Sequence, residues 1–275
     1  MQTYKLISSD LDTTLLSSDM TLSKENEEAI HALAQKGIYF VPNSGRTLSE
    51  FSPQILNHPD IRYLIYSDGA AIYDRITGET LSAYLNQNVY TELLSIFAKY
   101  ECYITVRFGG VSYVNEKLFN EERMVYHRIG KYYRDFLFAT NHPTKNFDSF
   151  CKELSDVEMI CAFFRKDEEL AECCNRIQAL GGTMIVSSME HNIEILSENA
   201  GKGTAMLRLA KSLGIEQEET IAVGDSTNDT DMITKAGLGL AVNNAWQELK
   251  DSADLVLPCT NDEHVAEYLL KTYFE

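Results

Sequence analysis

The sequence predicts an α/β protein, a parallel sheet covered by helices, with an α+β segment inserted in mid-chain. Three observations point there. Short apolar runs alternate with helix-like stretches in the N-terminal part, the same alternation returns in the C-terminal part, and the segment between departs from it. Alternation of this kind builds parallel sheets, because each crossover lays a helix on a sheet face.

"YKLIS" (4–8) reads as a buried strand. "SKENEEAIHALAQKG" has acidic residues in its first turns and stops at Gly37, as a helix does. "IYFVP" (38–42) is a second strand, "LSEFSPQIL" (48–56) a second helix and "RYLIY" (62–66) a third strand. "GAAIYDRITGETLS" reads as a hairpin turning at Thr77 and Gly78. The middle opens with a helix over 88–100, then strands "CYITVRF" and "VSYVNE" about Gly109 and Gly110, and a helical stretch over 119–133. Helix "FDSFCKEL", strand "EMICAFFR", helix "DEELAECCNRIQALG" and strand "TMIVSS" complete it. The alternation resumes with helix "AGKGTAMLRLAKSLG", strand "TIAVGD" and helix "TDMITKAG", and continues through "LGLAV", "AWQELKDSA", "DLVLP" and "EHVAEYLLKTYF". The expected division is a core of 1–83 and 188–275 with an inserted domain of 84–187.

Composition narrows the function. A chain of 275 residues, 44% hydrophobic, fits one large domain or two. A formal net charge of −17 argues against nucleic-acid binding, which needs a basic face; a small anion is accommodated only where a local cationic pocket overrides the global field. The start "MQTYKLISSDLD" lacks a signal-peptide pattern and no apolar run is long enough for a membrane span, so a soluble, cytoplasmic protein is expected. The six cysteines are irregularly spaced and read as small buried hydrophobes.

Ligands of open parallel sheets bind at the carboxyl ends of the strands, and three polar clusters fall there. Asp10 and Asp12 in "DLDTTLL" are two residues apart, so in extended chain both face one spot and need a cation or a shared proton. Ser44, Gly45 and Arg46 follow "IYFVP"; Asp225, Asn228 and Asp229 follow "TIAV". Lys202 opens a helix between two glycines, where its ammonium and the backbone N–H groups could meet an anion. Converging carboxylates invite a hard divalent cation, Mg²⁺, with a substrate phosphate completing its shell. One aspartate can then attack phosphorus while the other acts as acid and base.

The motifs "DLDTT", "NSGR", "GKG" and "GDSTND", in that order, resemble those of the haloacid dehalogenase superfamily of phosphotransferases. With "SDGAAIYD", "NIEIL" and "ADLVLP" the chain is more closely similar to the Cof-like sugar-phosphate phosphatase branch, over nearly its whole length. The resemblance implies a Rossmann-like core, a type IIB cap in the insertion that sets substrate specificity, and magnesium. It implies Asp10 as nucleophile and metal ligand, and Asp12 as acid/base with its backbone carbonyl on the metal. Ser44 with Gly45, and Lys202, would bind phosphate; Asp225 and Asp229 would hold the metal; Asn228 would touch phosphate or orient the lysine. Thr13 stands where glycine is usual, at a position that tolerates variation; Asp68, where asparagine is more frequent, and Asn243, where glycine is common, bear on substrate preference.

Arg46 is the residue expected to reach the substrate. Arg107, Arg123, Arg128, Lys131 and Arg134 make a basic stretch whose simplest reading is a solvated helix face, and His127 and His191 read as ordinary surface or strand residues. The expected function is Mg²⁺-dependent hydrolysis of small phosphorylated metabolites, sugar phosphates foremost. The alternatives are a phosphosugar mutase of the same superfamily and a non-catalytic regulatory protein that binds a phosphometabolite. Retention of both Asp10 and Asp12 speaks against the latter. Oligomeric state is not legible.

Overall fold

The computed structural model describes residues 4–187 and 189–275. The first three residues of the chain and Ser188, the end of the expected strand "TMIVSS", lie outside the described residues. The chain forms two compact units: one takes the chain up to Arg46, Phe51–Ser82 and Gly201–Glu275, the other Thr47–Glu50 and Ala83–Ala200.

The first unit begins with β1 (Leu6–Ser9), α1 (Lys24–Gln35), β2 (Tyr39–Pro42), α2 (Pro53–Leu56), β3 (Tyr63–Tyr66), β4 (Ala71–Asp74) and β5 (Thr80–Ser82). All four residues of β1 are buried, as in a strand covered on both faces. Ser23 caps α1 by accepting the Asn26 N–H at 3.2 Å, and Glu25 and Glu27 lie favourably in its first turn. "LSEFSPQIL" is not one helix: Leu48–Glu50 makes a single turn and α2 starts anew at Pro53. The reason is local, because proline has no N–H to give and forces Ser52 into extended backbone. The hairpin β4–β5 turns at Gly78, whose φ is +75°.

The second unit comprises α3 (Gln87–Phe97), β6 (Cys102–Phe108), β7 (Val111–Asn115), α4 (Glu121–Tyr126), α5 (Lys131–Thr140), β8 (His142–Thr144), α6 (Phe147–Glu153), β9 (Val157–Phe164), α7 (Asp167–Leu180), β10 (Thr183–Val186) and β11 (Asn192–Ser197). Its sheet runs β10-β11-β9-β6-β7-β8, antiparallel except for β7 with β8. Alternation along β9 feeds two cores: Ile160, Ala162 and Phe164 pack with α3, α6 and α7, whereas Cys161 and Phe163 pack with Met124, Ile129 and Leu137. The helical stretch expected over 119–133 is divided between α4 and α5, with a break at Arg128, which has φ +63°, and Gly130.

The expected boundary at 188 is corrected by β11. This strand pairs between β10 and β9 and belongs to the second unit, so the first resumes at Gly201. Asn192 and Glu194 interrupt its apolar pattern although all six residues are buried.

The first unit then continues with α8 (Lys202–Ser212), β12 (Thr220–Gly224), α9 (Thr230–Lys235), β13 (Leu238–Ala241), α10 (Gln247–Lys250), β14 (Leu255–Val256) and α11 (Val265–Tyr273). Its parallel sheet has the order β14-β13-β12-β1-β2. Ser9 stands opposite both Pro42 and Val223, so β1, β2 and β12 run out at the same level. That register brings Asp10, Ser44 and Asp225 to one sheet edge. None of the helices among the described residues is long and apolar enough to cross a membrane.

Candidate active site

Lys202 is the hub of the site. Its side chain is 0% exposed, and its ammonium donates to Asp10 Oδ1 and to Asp229 Oδ1, each at 2.6 Å. Burial alone would depress the pKa of this lysine, but Asp10, Asp229 and Asp68 more than reverse that and hold it well above the usual range. Gly201 and Gly69 allow the approach: a Cβ on Gly69, at φ +87°, would meet the Gly201 carbonyl oxygen at 2.2 Å. The α8 amides have another partner than the one expected. Gly203 and Thr204 donate to Asp231 Oδ2 at 2.8 and 3.1 Å, leaving the ammonium as the feature of this helix start that faces the carboxylates.

Asp10, Asp225 and Asp229 are buried, and each offers an oxygen within 4.8 Å of the others. Asp229 folds back beneath β12, accepting the Asp225 and Ser226 N–H groups at 2.9 and 3.1 Å. Only glycine fits at 224, since a Cβ there would lie 2.5 Å from the Asp229 carboxylate. Asp225 accepts hydroxyl hydrogens on both oxygens, from Thr13 at 2.6 Å and Thr14 at 3.1 Å. Burial, with the charges of Asp229, Asp225 and Asp12, raises the Asp10 carboxyl well above the carboxylate range against the pull of Lys202. Burial and the Asp229 charge push Asp225 up to about 6.

The Asp12 carboxylate does not join this group. The strand ends at Ser9, Thr13 turns the chain at φ +57°, and Asp12 is gripped by Arg46, Nη2 to Oδ1 at 2.6 Å and Nε to Oδ2 at 2.9 Å. The Asp12 carboxylate is thus committed to Arg46, while its charge still bears on Asp10. Arg46, expected to reach the substrate, is held on Asp12, and its backbone N–H donates to Ser44 Oγ at 3.2 Å. Ser44 is buried, and Gly45 sits against Asp68, whose Oδ2 would be 3.1 Å from a Cβ there.

Asp68 is the residue whose place in the site the sequence reading did not assign. It is buried at φ +48°, influences Lys202, accepts the Asn228 amide at 3.2 Å, and its carbonyl accepts the Gly201 N–H at 3.1 Å. Asn228 thus reaches Asp68 and Ser226 rather than the lysine. The signal available was the acidic residue in "SDGA", noted as a departure.

In the second unit four residues of the basic stretch are matched by acids: Arg107 with Glu194, Arg123 with Glu101, Arg128 with Asp167 and Arg134 with Glu121. His127 is buried beside Tyr103 and Tyr126 rather than on the surface, while His191 meets Asp167 at 3.0 Å. All six cysteines are free thiols, five of them buried.

The family model for haloacid dehalogenase-like hydrolases matches residues 7–269. Phosphatase YwpJ of Bacillus subtilis is 32% identical, over 97% of this chain and 99% of that protein. The 5-amino-6-(5-phospho-D-ribitylamino)uracil phosphatase YcsE of the same organism is 26% identical, over 96% of this chain and 93% of its own. A solved haloacid dehalogenase-like hydrolase from B. subtilis superposes with a TM-score of 0.82 at 31% identity, covering 98% of this chain and 99% of the other. With an α/β core whose strand ends gather these aspartates around a buried lysine, the chain belongs to the haloacid dehalogenase-like hydrolases, in their Cof-like branch, and is a phosphatase.

Proposed function

We propose that this phosphatase hydrolyses small phosphorylated metabolites, sugar phosphates foremost, with Mg²⁺ and through an aspartyl-phosphate on Asp10. The observation that carries the reading is the buried Lys202 bridging Asp10 and Asp229 with Asp225 alongside. The donor set fits a hard divalent ion: three carboxylates in reach of one point, two of them with proton affinity raised by burial and by the neighbouring carboxylates. Asp10, Asp225 and Asp229 would hold it, with the Asp12 backbone carbonyl. When bound, the ion supplies charge neutralisation for the phosphoryl group in transfer.

The residues of the chain do the rest. An Asp10 carboxylate oxygen attacks phosphorus as the bond to the ester oxygen breaks, and Asp12 gives its proton to the departing alkoxide. Asp12 then takes a proton from a water that attacks the aspartyl-phosphate, releasing inorganic phosphate and restoring Asp10. Lys202 keeps Asp10 in place and offsets phosphoryl charge, Ser44 with Gly45 and Asn228 bind the phosphate, and Arg46 keeps Asp12 oriented. We assign selection of the leaving group to the second unit, as a cap inserted after β5. The similarity to YcsE, named for a phosphorylated ribityl compound, supports a polyol or sugar phosphate.

The test is phosphate release from a panel of sugar phosphates, nucleotides and pyridoxal phosphate, with and without Mg²⁺, beside Asp10→Asn. Release requiring both Mg²⁺ and Asp10 is expected. Conversion of one sugar phosphate to its isomer without phosphate release would point to the mutase instead.

A further inference from the structure

We infer that Thr13 is a positioning residue: its hydroxyl sets the Asp225 carboxylate for the cation, and a strained backbone is kept to place it. Thr13 has φ +57° and ψ +15°, a left-handed conformation that is an outlier for a β-branched side chain. Glycine would adopt it without that strain. What threonine adds here is one contact, Oγ1 to Asp225 Oδ2 at 2.6 Å, the shorter of the two hydroxyl bonds on that carboxylate.

The strained turn is braced from a second side. Asn244 Nδ2 donates to the Thr13 carbonyl at 2.8 Å, and two residues on the Trp246 N–H donates to the Asp225 carbonyl at 2.8 Å. One loop after β13 therefore ties down the backbone of both the donor and the acceptor of the hydroxyl bond. With Thr13 on one oxygen and Thr14 on the other, the carboxylate cannot rotate without breaking a hydrogen bond. Each carboxylate oxygen has two lone pairs, so one remains to face a cation. An aspartate whose orientation is set beforehand binds a metal ion more tightly than one that must be ordered on binding.

The inference rests on the metal reading of Asp10, Asp225 and Asp229 proposed above. Its test is Mg²⁺ binding by calorimetry and Mn²⁺ binding by electron paramagnetic resonance, on Thr13→Val, Thr13→Gly and Thr13→Ser, with thermal midpoints taken in EDTA. Thr13→Val keeps shape and strain but loses the donor, and should weaken Mg²⁺ and Mn²⁺ binding about tenfold, the typical effect of losing one hydrogen bond to a charged group. Thr13→Gly should weaken it as much while melting above Thr13→Val. Thr13→Ser, which restores the donor, should bind within about twofold of the parent on the same argument. Native affinity in Thr13→Val, or no rescue by Thr13→Ser, overturns the inference while the metal reading stands. A parent chain that binds neither ion overturns both.

Discussion

Replacing Lys202 with methionine tests the centre of the site in a way that activity alone cannot. Methionine is unbranched and close to lysine in length, but two buried carboxylates, Asp10 and Asp229, lose the cation that each meets at 2.6 Å. Removing one partner of a buried ion pair costs about 3–5 kcal/mol. The two bonds share one ammonium, so their losses do not simply add, and we expect about 4 kcal/mol at pH 7 in EDTA. The protein can escape part of this by protonating Asp10, whose acid form burial already favours. Losing Lys202 raises that folded-state pKa further above the unfolded value, so the escape is complete at low pH and is lost as pH rises. One proton over two pH units is worth up to about 2.7 kcal/mol, so the penalty at pH 5 should fall toward about 1–2 kcal/mol. Urea unfolding followed by fluorescence of Trp246, the only tryptophan and a residue of the first unit, reports the correct region. Adding Asp229→Asn should recover part of the loss, because one of the stranded charges is gone. A penalty below about 1 kcal/mol at pH 7, or one equal at both pH values, would refute the reasoning, since a buried charge has to cost something and has to titrate.

Arg46→Ala should lower kcat/KM on the order of tenfold by releasing Asp12, and Arg46→Lys should not rescue it, because one ammonium cannot span both carboxylate oxygens; steady-state kinetics on the best substrate decides. Asp68→Asn removes a negative charge near Lys202 while keeping an acceptor for Asn228, so product inhibition by phosphate should tighten by roughly threefold or more, on the scale of a screened charge contact, with kcat little changed. Asp225 gives a pH signature in the metal-free protein. Its folded pKa, raised by burial and the Asp229 charge to about 6, lies above that of an exposed aspartate, so its contribution favours the fold below about pH 4 and is lost as pH climbs through 6. Urea midpoints in EDTA at pH 5 and 7 should therefore fall further in the parent than in Asp225→Asn; equal slopes would remove Asp225 as the cause.

Legibility in the sequence followed the range of the signal. Asp10, Asp225 and Lys202 each end or begin an element whose apolar run is plain, and parallel register then brings them together. The β11 strand was hidden because Asn192 and Glu194 are buried in it, Glu194 with Arg107 as its partner at 3.8 Å. The grip of Arg46 on Asp12 was not readable, since it joins the loops after two different strands. The contacts of Asp68 with Asn228 and of Asp231 with the α8 amides join residues that no local pattern connects. Sequence periodicity speaks for elements, whereas these pairings depend on how loops from different strands meet.

The charge inventory explains why such pairings matter. Five aspartates, Asp10, Asp12, Asp68, Asp225 and Asp229, stand with two cations, Lys202 and Arg46, in a chain of formal net charge −17. A dianionic phosphate would be repelled by that field if every carboxylate were ionised. Burial answers in part by holding Asp10 and Asp225 toward their acid forms. In the role proposed for Asp10, a protonated carboxyl would be a poor nucleophile, so protons would not be the working solution. On the function proposed above, a divalent cation among the three clustered carboxylates would solve both problems at once: it would compete with protons for Asp10 and Asp225, and it would make one point of an acidic molecule attractive to phosphate. Proton release, cation binding and phosphate binding would then be linked equilibria, each strengthening the next, with the buried lysine as the fixed positive charge around which they turn.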